Sequence, residues 1–142
     1  MSTQHKIRFF FENKSVRLTE RTRLKAFLLS LFRKEGRSVD SINYIFCSDK
    51  RLLDINRQFL DHNYYTDIIT FDLSESSKIV AEIYISLERV RENAKKEGNS
   101  LKSELHRVIF HGALHLCGFG DKSKAESKMM REKEDEYLKS WG

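Results

Sequence analysis

The sequence predicts an α+β fold, in which a small mixed β-sheet of about four strands packs with about five helices. Four segments are rich in β-branched and aromatic residues, and five others have apolar residues at helical spacing. The chain has 142 residues, of which 39% are hydrophobic and 33% charged. A chain of this length buries roughly two-thirds of its unfolded surface. No repeat or linker composition divides it, so we predict one domain over residues 1–142.

The N-terminal third is predicted to contain a strand and a helix. Residues 4–12 include the apolar run I-R-F-F-F, which is typical of a strand, and residues 13–17 form a connector. Thr19 and Glu20 precede a helix that Gly36 ends. The apolar positions of this helix share one face: Leu24, Phe27, Leu28, Leu31 and Phe32.

A second strand and helix follow. Residues 41–47 alternate well enough to form the strand. Ser48 or Asp49 is suited to cap a helix over about residues 50–60. The buried face of this helix is expected to comprise Leu52, Leu53, Ile55, Asn56 and Phe59.

Two further strands are predicted over residues 66–73 and 78–86. The short polar link S-E-S-S-K between them indicates a hairpin. A charged helix follows over about residues 87–96. A helix that carries two histidines then starts at Ser100 or Ser103.

The last helix, over about residues 123–138, is very polar. We expect only one of its stripes to pack on the core: Ala125, Met129, Met130 and Tyr137.

Composition narrows the partners and the compartment. A formal net charge of +5 favours a polyanionic partner, although only weakly. No apolar run approaches the roughly 20 residues that span a bilayer, and the N-terminal run is too short and charged for a signal peptide. We therefore expect a cytoplasmic protein with no membrane contact. Cys47 and Cys117 lack a C-x-x-C spacing and are interpreted as free core thiols.

The segment of residues 104–121 predicts a metal centre on a helix and the following turn. His111 and His115 are four residues apart in an apolar helical run, so both imidazoles lie on one face. Gly118 and Gly120 break the helix, and Asp121 follows. Two imidazoles and a carboxylate make three ligands with one open position, which is the pattern of a catalytic zinc site.

Neighbouring candidates are less suitable as ligands. Cys117 lies about 200° around the helix from His115, and His106 is on a different face from His111. Glu104 shares the face of His111 but is about 10 Å away along the helix, so a supporting role suits it better. Position 112 is glycine, so the H-E-x-x-H motif of metallopeptidases is absent, which disfavours peptide hydrolysis.

Two blocks of the sequence resemble the YbeY endoribonuclease family. The segment H-G-A-L-H-L-C-G-F-G-D, residues 111–121, is similar to the family motif H-G-x-L-H-L-x-G-Y-D-H. The family block L-N-x-x-F/Y-R, followed by T-D-V-L-S-F, is similar to I-N-R-Q-F-L at residues 55–60, followed by T-D-I-I-T-F from Thr66. The order and spacing of the two blocks agree across most of the chain.

The resemblance implies roles for individual residues. Arg57 in the second block becomes the catalytic residue that clamps the scissile phosphate, because a guanidinium fork matches phosphate oxygens. Thr66 and Asp67 become substrate-binding or supporting residues. The third metal ligand of the family is a histidine, and Asp121 occupies its position. The acid of the family's Gly-Asp-Ile at the fourth strand is Glu82 here, for which we expect a similar supporting role.

The same resemblance implies a function. It indicates a metal-dependent endoribonuclease that acts on single-stranded RNA in ribosomal RNA maturation, at the 16S 3′ end, and in ribosome quality control. It implies one Zn²⁺ or another divalent ion at the mouth of a basic cleft, with ribosomal RNA and the small ribosomal subunit as partners. Separately, we expect a monomer. Aromatic side chains of residues 62–65 are candidates for stacking on bases, whereas Phe71 suits core packing better. Two alternatives remain: a non-catalytic ribosome-assembly factor with a structural metal, and a metal-dependent hydrolase of another bond.

Overall fold

A computed structural model describes residues 6–12 and 17–142 of the chain. Its four strands form one sheet in the order β1-β2-β4-β3. They are β1 (Ile7–Phe11), β2 (Ser38–Cys47), β3 (Ile68–Asp72) and β4 (Lys78–Ser86). The start of the predicted first strand and most of the predicted connector lie outside the described residues.

The sheet is mixed, as predicted. Strand β2 pairs in parallel with both β1 and β4, and β3 pairs antiparallel with β4. The antiparallel pair confirms the predicted hairpin. Strand β2 begins three residues before the predicted position, at Ser38.

Five helices complete the described fold, which confirms the predicted α+β class. They are α1 (Arg21–Lys34), α2 (Asp49–Leu60), α3 (Leu87–Glu97), α4 (Leu101–Leu116) and α5 (Lys124–Trp141). Ser48 caps α2 and Ser100 caps α4, each by accepting a backbone N–H with its side chain. None of the helices in the described part of the chain is both long and apolar enough to cross a bilayer.

Helices cover the two sheet faces unequally. The main core joins one face of the sheet to α1, α4 and α5, and includes Phe32, Tyr44 and Phe110. A smaller cluster on the other face lies under α2, where Leu52 and Ile55 meet strand residues. Helix α4 therefore lies between the sheet and α5, with its C-terminal turn at the candidate site.

Two expectations about buried faces are wrong. The Phe59 side chain is 63% exposed, because the small cluster under α2 does not extend to the last turn of that helix. On α5, Ala125 and Met129 are exposed. The residues that α5 buries follow the helical repeat further along the chain: Met130, Glu134, Tyr137 and Trp141.

Gly112 allows α4 to lie close to the sheet. A Cβ atom at this position would be 3.0 Å from Cδ1 of Ile68 and 3.1 Å from two methyl carbons of Ile83. These residues belong to β3 and β4, so position 112 faces the sheet. The glycine that removes the metallopeptidase motif is thus a packing residue.

A larger side chain at this contact should destabilise the protein. We expect Gly112→Val to lower the free energy of unfolding by about 3 kcal/mol, because two more methyl groups would overlap Ile68 and Ile83. Urea denaturation measures the change. Ala125→Val, at an exposed position of α5, is the matched control and should cost less than about 1 kcal/mol. Equal losses in the two variants would show that the close contact is unimportant.

Candidate metal centre

Helix α4 carries both candidate histidines, but it places them in different surroundings. The His111 side chain is 22% exposed and borders a cavity of about 430 Å³. His115, one turn later in the same helix, is exposed to solvent. The 3.6-residue repeat keeps the two residues on one face, as predicted.

The turn after α4 brings Asp121 back to His111. Gly118 has a positive φ of 104°, a conformation that ends the helix and favours glycine. The hydroxyl of Ser127 then donates to the backbone oxygen of Asp121 at 3.0 Å. As a result, Oδ2 of Asp121 lies 3.2 Å from Nε2 of His111.

A carboxylate that sequence reasoning missed lies on the other side of the imidazole. Oε2 of Glu134, on α5, is 2.7 Å from Nδ1 of His111. Its second oxygen accepts from Nη1 of Arg107 at 2.9 Å, and the Glu134 side chain is only 6% exposed. One signal could have revealed it: Glu134 interrupts the apolar stripe of Met130, Tyr137 and Trp141, where a charged residue needs a buried partner.

These charges control the protonation of His111. Burial opposes the imidazolium form, but the hydrogen bond and charge of Glu134 and the nearby charges of Asp121 and Asp67 outweigh it. The net effect raises the pKa of His111 above its ordinary value. A cation at Nε2 would have to compete with a proton, so its affinity should fall in acid.

Thr66 and Asp67 line the same cavity as His111 and Asp121. Burial raises the pKa of the Asp67 carboxyl, although the charge of His111 opposes part of this effect. The hydroxyl of Thr66 donates to the backbone oxygen of Ile68 at 3.3 Å, which is a local turn contact. The structure thus brings together four of the seven site residues that the sequence suggested.

The cavity is acidic rather than basic. Its described lining has two arginines, Arg107 and Arg131, and five carboxylates: Asp67, Glu97, Glu104, Asp121 and Glu134. Both arginines are engaged with carboxylates, Arg107 with Glu134 and Arg131 with Glu97. The basic cleft that the resemblance implied is therefore not found at this cavity.

The donor set fits a divalent metal ion. Zinc bonds of about 2.0–2.2 Å in a tetrahedral arrangement separate nitrogen and oxygen ligands by roughly 3.3–3.6 Å. The 3.2 Å between His111 Nε2 and Asp121 Oδ2 is close to that spacing. Among residues 6–12 and 17–142, no three His, Cys, Asp or Glu side chains are already arranged around a metal position. His115, the other candidate donor on α4, is exposed and does not line the cavity.

Arg57 does not line this cavity and lies on the exposed surface of α2. Its Nε donates to Oδ1 of Asn63 at 2.6 Å, which ties the helix to the following loop. No other hydrogen bond or ion pair of Arg57 occurs within the described part of the chain, so its two Nη groups can meet an anion. The same loop exposes Tyr64 and Tyr65, at 55% and 53%.

Glu82 is separated from His111 by the sheet. Its neighbour Ile83 faces α4 and Gly112, so Glu82 points to the opposite face of β4. There it accepts from the hydroxyl of Tyr84 at 3.2 Å and borders a second cavity with Phe59. Phe71 contacts both Phe59 and Tyr84 in edge-to-face geometry, which agrees with a packing role.

The neighbouring residues that the sequence disfavours as metal ligands lie where helical geometry predicts. Glu104 is buried and accepts from Asn99 at 3.4 Å. Both cysteines are free, and burial raises the pKa of each thiol to about 12, which makes them poor thiolate ligands. His106 is buried on another face of α4, with its ring centroid 5.1 Å from that of Trp141.

His106 should make the protein less stable in mild acid. Burial lowers its pKa to about 4, so between pH 6.5 and 4 the unfolded chain binds a proton that the folded chain does not. The free energy of unfolding should therefore fall as pH decreases through this window. Because the ring borders a solvent-accessible cavity, we expect a loss of about 1 kcal/mol. Urea denaturation at about pH 7 and pH 5 measures this loss. His106→Gln should remove the contribution of His106 to it. If the variant loses as much stability as the wild type between the two pH values, the assignment to His106 is wrong.

Comparisons with known proteins agree with the motif. The family model described as endoribonuclease YbeY matches residues 8–142. A protein named endoribonuclease YbeY from Cytophaga hutchinsonii is 50% identical over 131 residues, which is 92% of each chain. One from Porphyromonas gingivalis is 44% identical over 133 residues, 94% of this chain and 88% of its own. The solution structure of TM1509 from Thermotoga maritima matches with a TM-score of 0.65 and 35% identity, covering 93% of this chain and 86% of that one. The chain therefore belongs to the YbeY family.

Proposed function

We propose that this protein is a metal-dependent endoribonuclease that cleaves single-stranded ribosomal RNA during maturation of the small ribosomal subunit, at the 16S 3′ end, and in ribosome quality control. Family membership supports the endoribonuclease activity, since the relatives carry that name. The observation that carries the metal dependence is the 3.2 Å approach of His111 Nε2 to Asp121 Oδ2 in a carboxylate-rich cavity. We also propose that the protein acts in the cytoplasm, where small-subunit rRNA matures, and that it is a monomer.

The residues that would hold the ion are His111, His115 and Asp121. This set has two neutral donors and one carboxylate, which suits Zn²⁺, although other divalent ions can use the same donors. A divalent cation supplies Lewis acidity, which polarises a phosphate oxygen and makes water more acidic at neutral pH. The excess of carboxylates in the cavity repels RNA phosphate in the absence of a cation and attracts the cation itself.

Asp67 and Arg57 would then contact the RNA substrate. Asp67 borders the cavity, and burial favours its protonated form, so its carboxyl is suited to holding a proton near the scissile group. Arg57 would hold a phosphate through its two Nη groups while Nε stays on Asn63. The exposed rings of Tyr64 and Tyr65 beside it suit stacking on unpaired bases.

Cleavage assays on RNAs that carry the small-subunit 3′ end test this proposal. The metal-loaded protein should cut an unpaired segment and leave the same sequence in a duplex intact. A chelator should abolish cutting, and added Zn²⁺ should restore it. A substrate with 2′-deoxyribose at the cut position distinguishes attack by the 2′-hydroxyl from attack by water. Cutting that persists at full rate after metal removal would contradict the metal-dependent mechanism.

The alternatives have distinct outcomes. Residue 112 is glycine and packs closely against the sheet, so the helical glutamate that a metallopeptidase requires is absent, and we expect no peptide cleavage. A protease assay run beside the RNA assay checks this. If His111→Ala restored rRNA processing in cells that lack the protein, a non-catalytic assembly role would replace the proposed one.

A further inference from the structure

Helix α5 contributes a buried carboxylate to a site whose candidate ligands all lie on α4 and the turn after it. Glu134 touches His111 from the side opposite Asp121, with 2.7 Å to Nδ1 on one side of the ring and 3.2 Å to Nε2 on the other. Both oxygens of Glu134 are occupied, Oε2 by His111 and Oε1 by Arg107, and Nη1 of Arg131 lies 3.9 Å from Oε1. Glu134 is therefore not available as a metal ligand in this arrangement.

We propose that Glu134 is a positioning residue, held by Arg107, that fixes the His111 tautomer and directs Nε2 toward the metal position. An ionised carboxylate can only accept hydrogen bonds, and two carboxylates face the ring. The contact of Nδ1 with buried Glu134, at 2.7 Å, is shorter than that of Nε2 with exposed Asp121, at 3.2 Å, so Nδ1 carries the proton of the neutral ring. The lone pair of the neutral ring is then on Nε2, the nitrogen that faces Asp121. Mutation of the residue that fixes the tautomer of a metal-binding histidine typically lowers metal affinity by about 10- to 100-fold.

Arg107 makes the role of Glu134 specific for a carboxylate. Its Nη1 donates to Oε1 of Glu134 at 2.9 Å, and its Nη2 donates to Asp135 at 2.7 Å. The guanidinium has no acceptor atom, so whichever Glu134 atom faces it must be an oxygen. Since His111 Nδ1–H needs an oxygen as well, residue 134 must offer two acceptors at once.

Glutamine at position 134 cannot meet both demands. Its single amide oxygen would be held by Arg107, and its NH₂ group would then face Nδ1 of His111. To accept that N–H, the ring must move its own proton to Nε2, where it blocks metal binding. If Arg107 is also replaced by methionine, the 2.9 Å hydrogen bond is lost and only Arg131, 3.9 Å from Oε1, faces this end of the side chain. The amide can then turn, and its oxygen can accept from Nδ1 again.

The inference rests on the proposed metal site, and two measurements separate them. Competition with a chromophoric chelator gives the Zn²⁺ affinity of each variant. Long-range ¹H–¹⁵N NMR spectra of the metal-free protein, recorded on the alkaline side of the His111 titration, report the His111 tautomer without any metal. Thermal unfolding shows whether each variant folds.

We expect Glu134→Gln to bind Zn²⁺ about 10- to 100-fold more weakly than wild type and to show the Nε2–H tautomer. Adding Arg107→Met should recover most of that affinity and the Nδ1–H tautomer. Glu136→Gln is the matched control on α5, because Glu136 is exposed and paired only with Lys133 among the described residues; it should leave both readouts unchanged.

Unchanged Zn²⁺ affinity and an Nδ1–H ring in Glu134→Gln would overturn the positioning role and leave the proposed function intact. Failure of Arg107→Met to rescue a folded double variant would overturn the role of Arg107. A wild-type protein that binds no Zn²⁺ while Glu134→Gln still switches the tautomer would contradict the metal site and support the positioning role.

Discussion

Replacing His111 by alanine is expected to abolish RNA cleavage, with a loss of about 1,000-fold or more. The substitution removes Nε2, one of the two donor atoms that lie 3.2 Å apart, and Lewis-acid catalysis contributes several kcal/mol to phosphate chemistry. It also leaves the Oε2 atom of buried Glu134 without its imidazole partner, so the free energy of unfolding should fall by about 1–3 kcal/mol. Single-turnover cleavage and bound metal are measured at a temperature at which the variant is folded.

His106→Gln is the control for His111→Ala, because it removes a buried histidine from another face of the same helix. It should keep both metal and cleavage. If folded His111→Ala cuts RNA at the wild-type rate, His111 has no part in the reaction.

Reversing the charge of Arg57 is expected to lower cleavage by about 100-fold while leaving fold and metal content unchanged. Arg57 is exposed and bonded only to Asn63 among the described residues, so the fold does not depend on it. A guanidinium that holds a phosphate makes short, charge-assisted hydrogen bonds, and glutamate at that place would repel the substrate. Cleavage rates at saturating RNA, together with metal analysis of Arg57→Glu, measure the effect.

Lys50→Glu is the matched charge reversal, since Lys50 lies at an exposed position on the same helix. It changes net charge by the same amount, so it should weaken RNA binding only a few-fold. Equal losses in the two variants would mean that Arg57 acts through general electrostatics and not by holding the scissile phosphate.

The sequence was informative about the fold wherever local periodicity decides the structure. The strand repeat and the helical repeat predicted the element order, and Ser48 and Ser100 marked two helix starts. Burial was harder to predict at the helix ends. Phe59 and Met129 are apolar residues that the tertiary structure leaves exposed, and the contact of Phe59 with Phe71 covers only part of its ring.

The site was predictable where its members are close in the chain. His111 and Asp121 are ten residues apart, and one helix and one turn bring them together. Glu134 was missed because its contact depends on how α5 packs against α4. Its place in the apolar stripe of α5 signals that it is buried, but does not identify its partner. Glu82 shows the converse: the motif assigned it to the site, but strand alternation turns it to the opposite face of the sheet.

Metal content is the most direct test of the His111–Asp121 centre. Protein loaded with Zn²⁺ and freed of excess ion by gel filtration should contain about one ion per chain, the stoichiometry of a mononuclear site. Asp121→Ala should retain less than about a tenth of that amount, because the carboxylate facing Nε2 is gone, and Asp121→His should restore it. Full occupancy in folded Asp121→Ala, or a wild-type protein that retains no ion, would contradict the account.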